Sequence, residues 1–314
     1  MRRHDLCPAG TRVLIALSGG SDSVGLTFVL RELAHNGGFF VAGLAHFNHR
    51  LRPTADRDEQ FCRSLADRLT LPIVVGEVDV REYATSERLS VEDAARRSRY
   101  AFLHRTAADM EASRIAVGHT RDDQAETFLL KLARGAGLVG LGGIYPRRDA
   151  LIRPLLDVSH ADLRDHLEAL GECWVEDESN AELDNPRNRI RHRVIPELDA
   201  AYGGPTSGSI ARAAALARDD GAWLDEMAER RYRELALPEA GGVSFPAAEL
   251  RAEPAPIRRR LLLKALRDVS GLREVTLEHV ELAADILHES STGADLPAAR
   301  LELRRGKLVL VRKR

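Results

Sequence analysis

The chain has 314 residues, an apolar share of 44% and a formal net charge of −2. This length favours two domains, and the small net charge argues against a protein that coats nucleic acid indiscriminately. Two basic stretches, 187–193 and 300–314, could still bind phosphate backbones locally. The sequence lacks the roughly 18 consecutive apolar residues of a membrane helix, its charged start argues against a secretory signal, and its three cysteines form no CxxC pair. We therefore expect a cytoplasmic protein with no membrane partner.

The first half of the chain alternates short β-branched runs with amphipathic patterns of helical period. Strands are predicted at 13–18, 40–47, 72–78 and 114–120, with helices near 22–34, 56–69, 90–109 and 121–134. This alternation predicts a doubly wound, mostly parallel α/β sheet, with ligands at the carboxyl ends of the strands. A fifth strand at 150–156 and a helix capped by Ser159 are predicted to follow.

A Gly/Pro/Ser-rich segment, 201–209, is interpreted as a linker between two domains, 1–205 and 206–314. The pattern beyond it predicts a smaller, mainly helical domain. Its helices are expected at 209–236, 255–269 and 276–289, and its last 15 residues at 300–314 are predicted to form a β-hairpin about a glycine.

The stretch SGGSDS, residues 18–23, lies between the first predicted strand and the helix that follows. Glycine permits a close backbone approach to a ligand, and the amino end of a helix favours an anion. The loop therefore predicts a pyrophosphate site that needs no lysine; the alternative is that its Ser and Asp only cap a helix. The residues expected to contact the nucleotide are Ser18, Gly19, Gly20, Ser21, Asp22 and Ser23.

Acidic side chains accompany this loop. A carboxylate beside phosphates is repelled unless a cation lies between them, so we predict Mg²⁺ near Asp22, with Asp123 as a second ligand. In GHTRDDQAET, residues 118–127, Asp122 and Asp123 fall in the first turn of a helix, and Glu126 follows one turn later. These acids could merely stabilise the helix by interacting with the positive end of its dipole, or they could hold a metal ion or a lysine ammonium group.

The segment HFNHRLR, residues 46–52, leaves the second predicted strand. His46, Asn48 and His49 are candidates for hydrogen bonds near the nucleotide, and Arg52 for a phosphate contact. The alternative is a polar loop without function. A zinc pair is disfavoured because the sequence shows no third ligand.

The loop SGGSDS is similar to the SGGxDS loop of the N-type ATP pyrophosphatases, which cleave ATP between its α and β phosphates. Four further stretches resemble, in order, motifs of the tRNA(Ile)-lysidine synthetase family. They are 46–52 (HxNHxLR), 90–103 (ARxxRY), 118–144 (GHxxDDQxET and a glycine-rich tail) and 177–198 (DxSN…RNxxR). By motif position Arg96 and Arg99 are expected to contact phosphate, unless they pair with nearby acids. Asn188, Arg189 and Arg193 are expected to contact tRNA.

The resemblance implies a ligase of tRNA modification. ATP would adenylate the wobble cytidine of an isoleucine tRNA with anticodon CAU, and L-lysine would then displace AMP at C2 to give lysidine. The catalytic residues implied are Asp22, Asp122, Asp123 and Glu126. The second domain would contact tRNA, and a homodimer is left open. Two alternatives are a tRNA thiolase, which usually needs paired cysteines, and a catalytically silent tRNA-binding module.

Overall fold

The computed structural model describes residues 1–50, 54–176, 185–271, 275–288, 293–296 and 299–313. The chain divides into two compact units, Met1–Leu216 and Ala217–Arg314. Among the described residues, no helix combines the length and the apolar character needed to cross a membrane.

A six-stranded sheet forms the centre of the first unit. Its strands are β1 (Arg12–Ala16), β2 (Phe40–Asn48), β3 (Ile73–Glu77), β4 (Arg114–Ala116), β5 (Arg147–Arg148) and β6 (Leu151–Ile152). Their order is β3-β2-β1-β4-β6-β5, and the neighbouring strands are parallel except β5 with β6. The order reverses between β1 and β4, which makes this the switch point where open α/β sheets bind ligands. The predicted doubly wound, mostly parallel sheet is confirmed.

Helices cover both faces of this sheet. They are α1 (Ser21–Gly37), α2 (Ala55–Leu69), α3 (Val80–Glu87), α4 (Val91–Asp109), α5 (Arg121–Ala133), α6 (Leu138–Leu141), α7 (His160–Ala169), α8 (Pro186–Arg189) and α9 (Ile195–Tyr202), with a π-helical turn at Ile190–Val194. On β1, Val13 and Ile15 pack in one apolar cluster with α1, α2 and α7, whereas Leu14 packs in another with α4. Successive side chains of a strand point to opposite faces, so α1 and α4 lie on opposite faces of the sheet.

The second unit contains an antiparallel sheet and helices. The strands are β7 (Leu237–Glu239), β8 (Gly242–Pro246), β9 (Gly293–Asp295), β10 (Ala299–Arg304) and β11 (Lys307–Arg312), in the order β7-β8-β11-β10-β9. The helices are the C-terminal part of α10 (Ser207–Leu235), α11 (Ala247–Ala252), α12 (Ala255–Ser270) and α13 (Leu277–His288). Phe245, Leu261 and Leu301 are fully buried between sheet and helices.

Observed and predicted elements differ mainly where the sequence signal is weak. The strand predicted over 150–156 is reduced to β6, because Pro154 has no N–H to donate to a ladder. The terminal hairpin is confirmed as β10 and β11, but it belongs to a sheet whose other strands the sequence analysis does not predict. The segment 201–209 contains the turn between α9 and α10; the domain bounds 1–205 and 206–314 stay a prediction.

Candidate functional site

The loop SGGSDS joins the end of β1 to the start of α1 at the switch point. The backbone of Gly19 has a φ of +94°, which side chains with a Cβ rarely adopt. The Ser23 hydroxyl accepts hydrogen bonds from the backbone N–H groups of Ser18 and Gly19, at 3.0 and 3.1 Å, and donates to the Gly20 carbonyl at 3.0 Å. Ser23 therefore fixes the shape of the loop from within.

The amino end of α1 differs from those of α5 and α7. Its N-cap, Gly20, provides no side-chain hydrogen bond, whereas Thr120 and Ser159 cap α5 and α7 through their hydroxyls. The first amides of a helix have no intrahelical acceptor. The uncapped turn at Ser21 and Asp22 thus presents N–H groups and the positive end of a helix dipole, which together suit a phosphate.

The end of β4 lies directly against this first turn. A Cβ atom on Gly118 would lie 3.1 Å from the carbonyl carbon and oxygen of Asp22, closer than ordinary van der Waals contact. Glycine at this position permits the approach. The segment that carries Asp122 and Asp123 is consequently held at the same edge of the sheet as the loop 18–23.

Asp22, Asp123 and His160 form a compact polar cluster at this edge. Each offers one ligand atom, and these atoms lie within 4.8 Å of one another. Asp22 Oδ1 lies 2.7 Å from His160 Nδ1, and the His160 backbone N–H donates to Asp122 Oδ2 at 2.8 Å. Carboxylates and imidazoles are common ligands of divalent cations, so the residues present fit a metal ion.

Asp123 is the more enclosed of the two carboxylates. Its Oδ2 accepts a hydrogen bond from the Thr120 backbone N–H at 2.9 Å, which completes a capping box at the start of α5. Burial raises the pKa of Asp123, but nearby His119, the Thr120 amide and the Arg187 guanidinium outweigh it and hold the pKa below its usual value. Asp123 is therefore ionised at neutral pH.

His160 is expected to show a pH dependence that Asp22 controls. Burial lowers the pKa of His160, but the hydrogen bond to Asp22 and the charges of Asp22, Asp123 and Asp122 raise it above 6.5 overall. The resulting stabilisation is complete below pH 6.5 and is lost as the pH rises through the raised value. Asp22→Asn should lower the pKa of His160, as measured from its ring nitrogens by NMR titration. If the pKa of His160 were unchanged in this variant, Asp22 would not be what raises it.

Glu126 lies behind this cluster and is only 1% exposed. Its two carboxylate oxygens accept hydrogen bonds from Arg191 Nε at 2.5 Å and Arg187 Nε at 2.9 Å. The same guanidinium groups lie 3.7 and 3.9 Å from Asp123 Oδ1. Glu126 thus holds two arginines beside Asp123, and both of its carboxylate oxygens are occupied by them.

A cavity of about 560 Å³ opens at the ends of β1, β2 and β4. His46 on its wall is 4% exposed, and its Nδ1 lies 3.0 Å from the Leu17 carbonyl. Its Nε2 has no hydrogen-bond partner among the described residues. Burial lowers the pKa of His46, so the ring is neutral and Nε2 is an acceptor for a ligand.

The other predicted residues divide into two groups. Asn48 lines the cavity, but its amide is occupied by Glu59 at 3.1 Å and by the Arg50 N–H at 2.9 Å. His49 also lines the cavity, with its ring edge-on to Phe47. Arg96 and Arg99 stack on Tyr100, and Arg99 also lines the cavity. Asn188 is buried, Arg189 and Arg193 are exposed, and Arg52 lies outside the described residues.

Three residues in or next to the acidic cluster were not among the predicted site residues. Arg187 and Arg191 lie four residues apart, a spacing that puts two side chains on one helical face and could have singled them out. His160 directly follows the predicted cap Ser159, but no sequence signal links it to Asp22, 138 residues away.

The fold and the loop at its switch point define an α/β domain of the kind that binds nucleotides. A family model described as the PP-loop domain matches residues 4–198. The chain belongs to the PP-loop family.

The relatives confirm the resemblance seen in the motifs. The chain is 39% identical over 297 residues to the tRNA(Ile)-lysidine synthase of Geobacter sulfurreducens, covering 92% of this chain and 62% of the relative. It is 34% identical over 292 residues to the enzyme of the same name from Dehalococcoides mccartyi, again covering 62% of the relative and 90% of this chain. The chain thus spans about three fifths of the length of these two curated relatives.

A solved structure shares the fold. The U34-tRNA thiolase NcsA from Methanococcus maripaludis, determined with its [4Fe-4S] cluster, superposes with a TM-score of 0.56. The match covers 68% of this chain and 74% of the thiolase, at 17% sequence identity. At this identity the likeness concerns the fold alone.

Proposed function

We propose that this protein is a cytoplasmic ligase that joins L-lysine to C2 of the wobble cytidine in isoleucine tRNA with anticodon CAU, using ATP. The observation that carries the proposal is the uncapped start of α1 next to the acidic cluster of Asp22, Asp123 and His160. Its relatives named tRNA(Ile)-lysidine synthase support the choice of substrate.

The loop holds the pyrophosphate that leaves when ATP is cleaved. The amides at the start of α1 donate to its oxygens. The Ser18 hydroxyl donates to Ser23 Oγ at 3.1 Å and so helps to fix the loop at the wall of the cavity. The hydrogen bonds of Ser23 already fix the shape of the loop. Its donors can therefore stabilise the charge that develops in the transition state without having to move first.

A divalent cation, expected as Mg²⁺, would be held by Asp22 and Asp123 with His160 beside them, and would neutralise phosphate charge. The base of ATP fits the cavity at the ends of β1 and β2, where His46 offers its free ring nitrogen. Adenylation makes chemical sense at the cytidine, because an amide-like oxygen leaves poorly whereas a phosphate ester leaves well.

The acidic cluster also serves the attacking lysine. Ionised Asp123 can bind an ammonium group, while Asp122, tied to the His160 amide, fixes the start of α7. The amine must lose a proton before it attacks. Burial lowers the pKa of the His119 ring to about 4, so this ring is neutral and too weak a base to take that proton, but its Nδ1, which has no partner among the described residues, can accept a hydrogen bond from the ammonium group.

We assign tRNA contacts to the exposed Arg189 and Arg193 and to the hairpin tip of the second unit. At that tip Arg305 and Gly306 both have positive φ, and Arg304, Arg305 and Lys307 are exposed. Three cations on a tight turn suit a phosphate backbone. A homodimer is kept as an open alternative to a monomer.

Mass analysis tests the proposal. Isoleucine tRNA transcript with anticodon CAU, incubated with protein, ATP and lysine, should contain a cytidine heavier by one lysine less one water. Omitting lysine or ATP should abolish the product, and a transcript with another anticodon is the matched control. Sulfur incorporation would favour the thiolase alternative, and tRNA binding without any product would favour a silent module.

A further inference from the structure

Three arginines converge on one tyrosine at the edge of the cavity. The guanidinium carbons of Arg96 and Arg99 lie 4.9 and 5.3 Å from the centre of the Tyr100 ring. Burial raises the pKa of Tyr100, yet the charges of Arg99, Arg96 and Arg153 lower it overall. Positive charge is thus concentrated around the Tyr100 ring.

Arg153 is the third arginine and is only 7% exposed. One guanidinium nitrogen donates to the Tyr145 carbonyl at 2.8 Å, but Nε has no hydrogen-bond partner among the described residues. Within the described part of the chain, no carboxylate forms an ion pair with Arg96, Arg99 or Arg153. A buried guanidinium without a counter-charge is costly, so an anion supplied from outside would stabilise it.

Arg99 joins the arginine cluster to the cavity, which residues of the loop 18–23 also line. Arg99 and His119 both line the cavity, and the charges of Arg153 and Arg99 act on the His119 ring. Arg99 belongs to α4, which covers the opposite face of the sheet from α1. The cluster is therefore carried by elements other than the helix terminus that is proposed to hold pyrophosphate.

We propose that Arg96, Arg99 and Arg153 form a second anion subsite, which binds a phosphodiester of the RNA substrate at the edge of the cavity. A guanidinium binds phosphate through paired N–H groups, which fixes direction as well as charge. The subsite rests on the proposed function in one respect, namely that the substrate is an RNA. It adds Arg153, which no sequence motif singled out, as a residue that positions the substrate.

RNA binding by single variants tests the subsite. Arg99→Gln and Arg153→Met should each weaken binding of the CAU transcript about 5- to 10-fold in filter-binding assays, and each should reduce the salt slope of log K by about one. Binding of ATP alone should change less than about twofold. Arg147→Gln, which removes an exposed arginine of β5, is the matched control and should leave transcript affinity unchanged.

The two binding measurements distinguish a subsite for the phosphate of RNA from a subsite for the phosphates of ATP. Weakened ATP binding with unchanged RNA binding would show that the subsite serves the nucleotide, and would overturn the proposal. Unchanged RNA affinity and salt slope would overturn it as well. Should Arg153→Met unfold, the double variant Arg96→Gln/Arg99→Gln decides, because neither side chain bonds to the backbone. Since binding is measured without turnover, a reduced salt slope would uphold the subsite even if no lysidine formed.

Discussion

Replacing Glu126 with alanine is expected to lower the free energy of unfolding of the first unit by about 2–3 kcal/mol. The substitution removes the carboxylate that accepts hydrogen bonds from both the Arg187 and Arg191 guanidinium groups, and it leaves them only the longer contacts to Asp123. Their side chains are 37% and 27% exposed, so water compensates part of the loss. Urea denaturation followed by circular dichroism measures the change.

A surface ion pair provides the control. Arg97 and Glu87 lie 3.6 Å apart with side chains 62% and 47% exposed, so Glu87→Ala should cost no more than about 0.5 kcal/mol. Equal effects of the two substitutions would contradict a special role for the buried pair. If Glu126→Ala retained full stability, the arginines would have to be held by other contacts.

Replacing Asp22 with asparagine is expected to slow RNA-dependent cleavage of ATP by roughly 10²- to 10³-fold. The substitution keeps the size of the side chain but removes the charge that faces His160 and that would hold the proposed cation beside the phosphates. Transcript affinity should stay within about twofold, because Asp22 lies in the loop proposed to hold pyrophosphate. Single-turnover release of pyrophosphate measures the rate.

The matched control is Asp165→Asn, an exposed carboxylate on the neighbouring helix α7. It should retain the rate of the unmodified protein. A rate for Asp22→Asn close to that of the control would remove Asp22 from the catalytic site.

Local patterns predicted much of the first unit. Short buried strands and capped helices leave signals within a few residues, so β1 to β4 and the cap Ser159 follow from the sequence. The helix α3 is not predicted, although Asp79 caps it through the amides of Arg81 and Glu82. Its eight residues are too few for a helical period to stand out.

Contacts between distant segments were the part that sequence could not supply. The Asp22–His160 bond depends on the packing of α7 against α1, through residues such as Leu163 and Val24. The pairing of Glu126 with Arg187 joins residues 61 apart and depends on where α8 crosses α5. Likewise, only the fold shows that Arg153 lies close to Arg96 and Arg99 of α4.

The most direct test follows the α-phosphate of ATP when lysine is withheld. With ATP labelled at that position, the account predicts that the label moves onto the CAU transcript, that pyrophosphate appears in equal amount, and that added lysine releases labelled AMP. Pyrophosphate formation that is independent of the transcript, or a transcript that never carries the label, would contradict it.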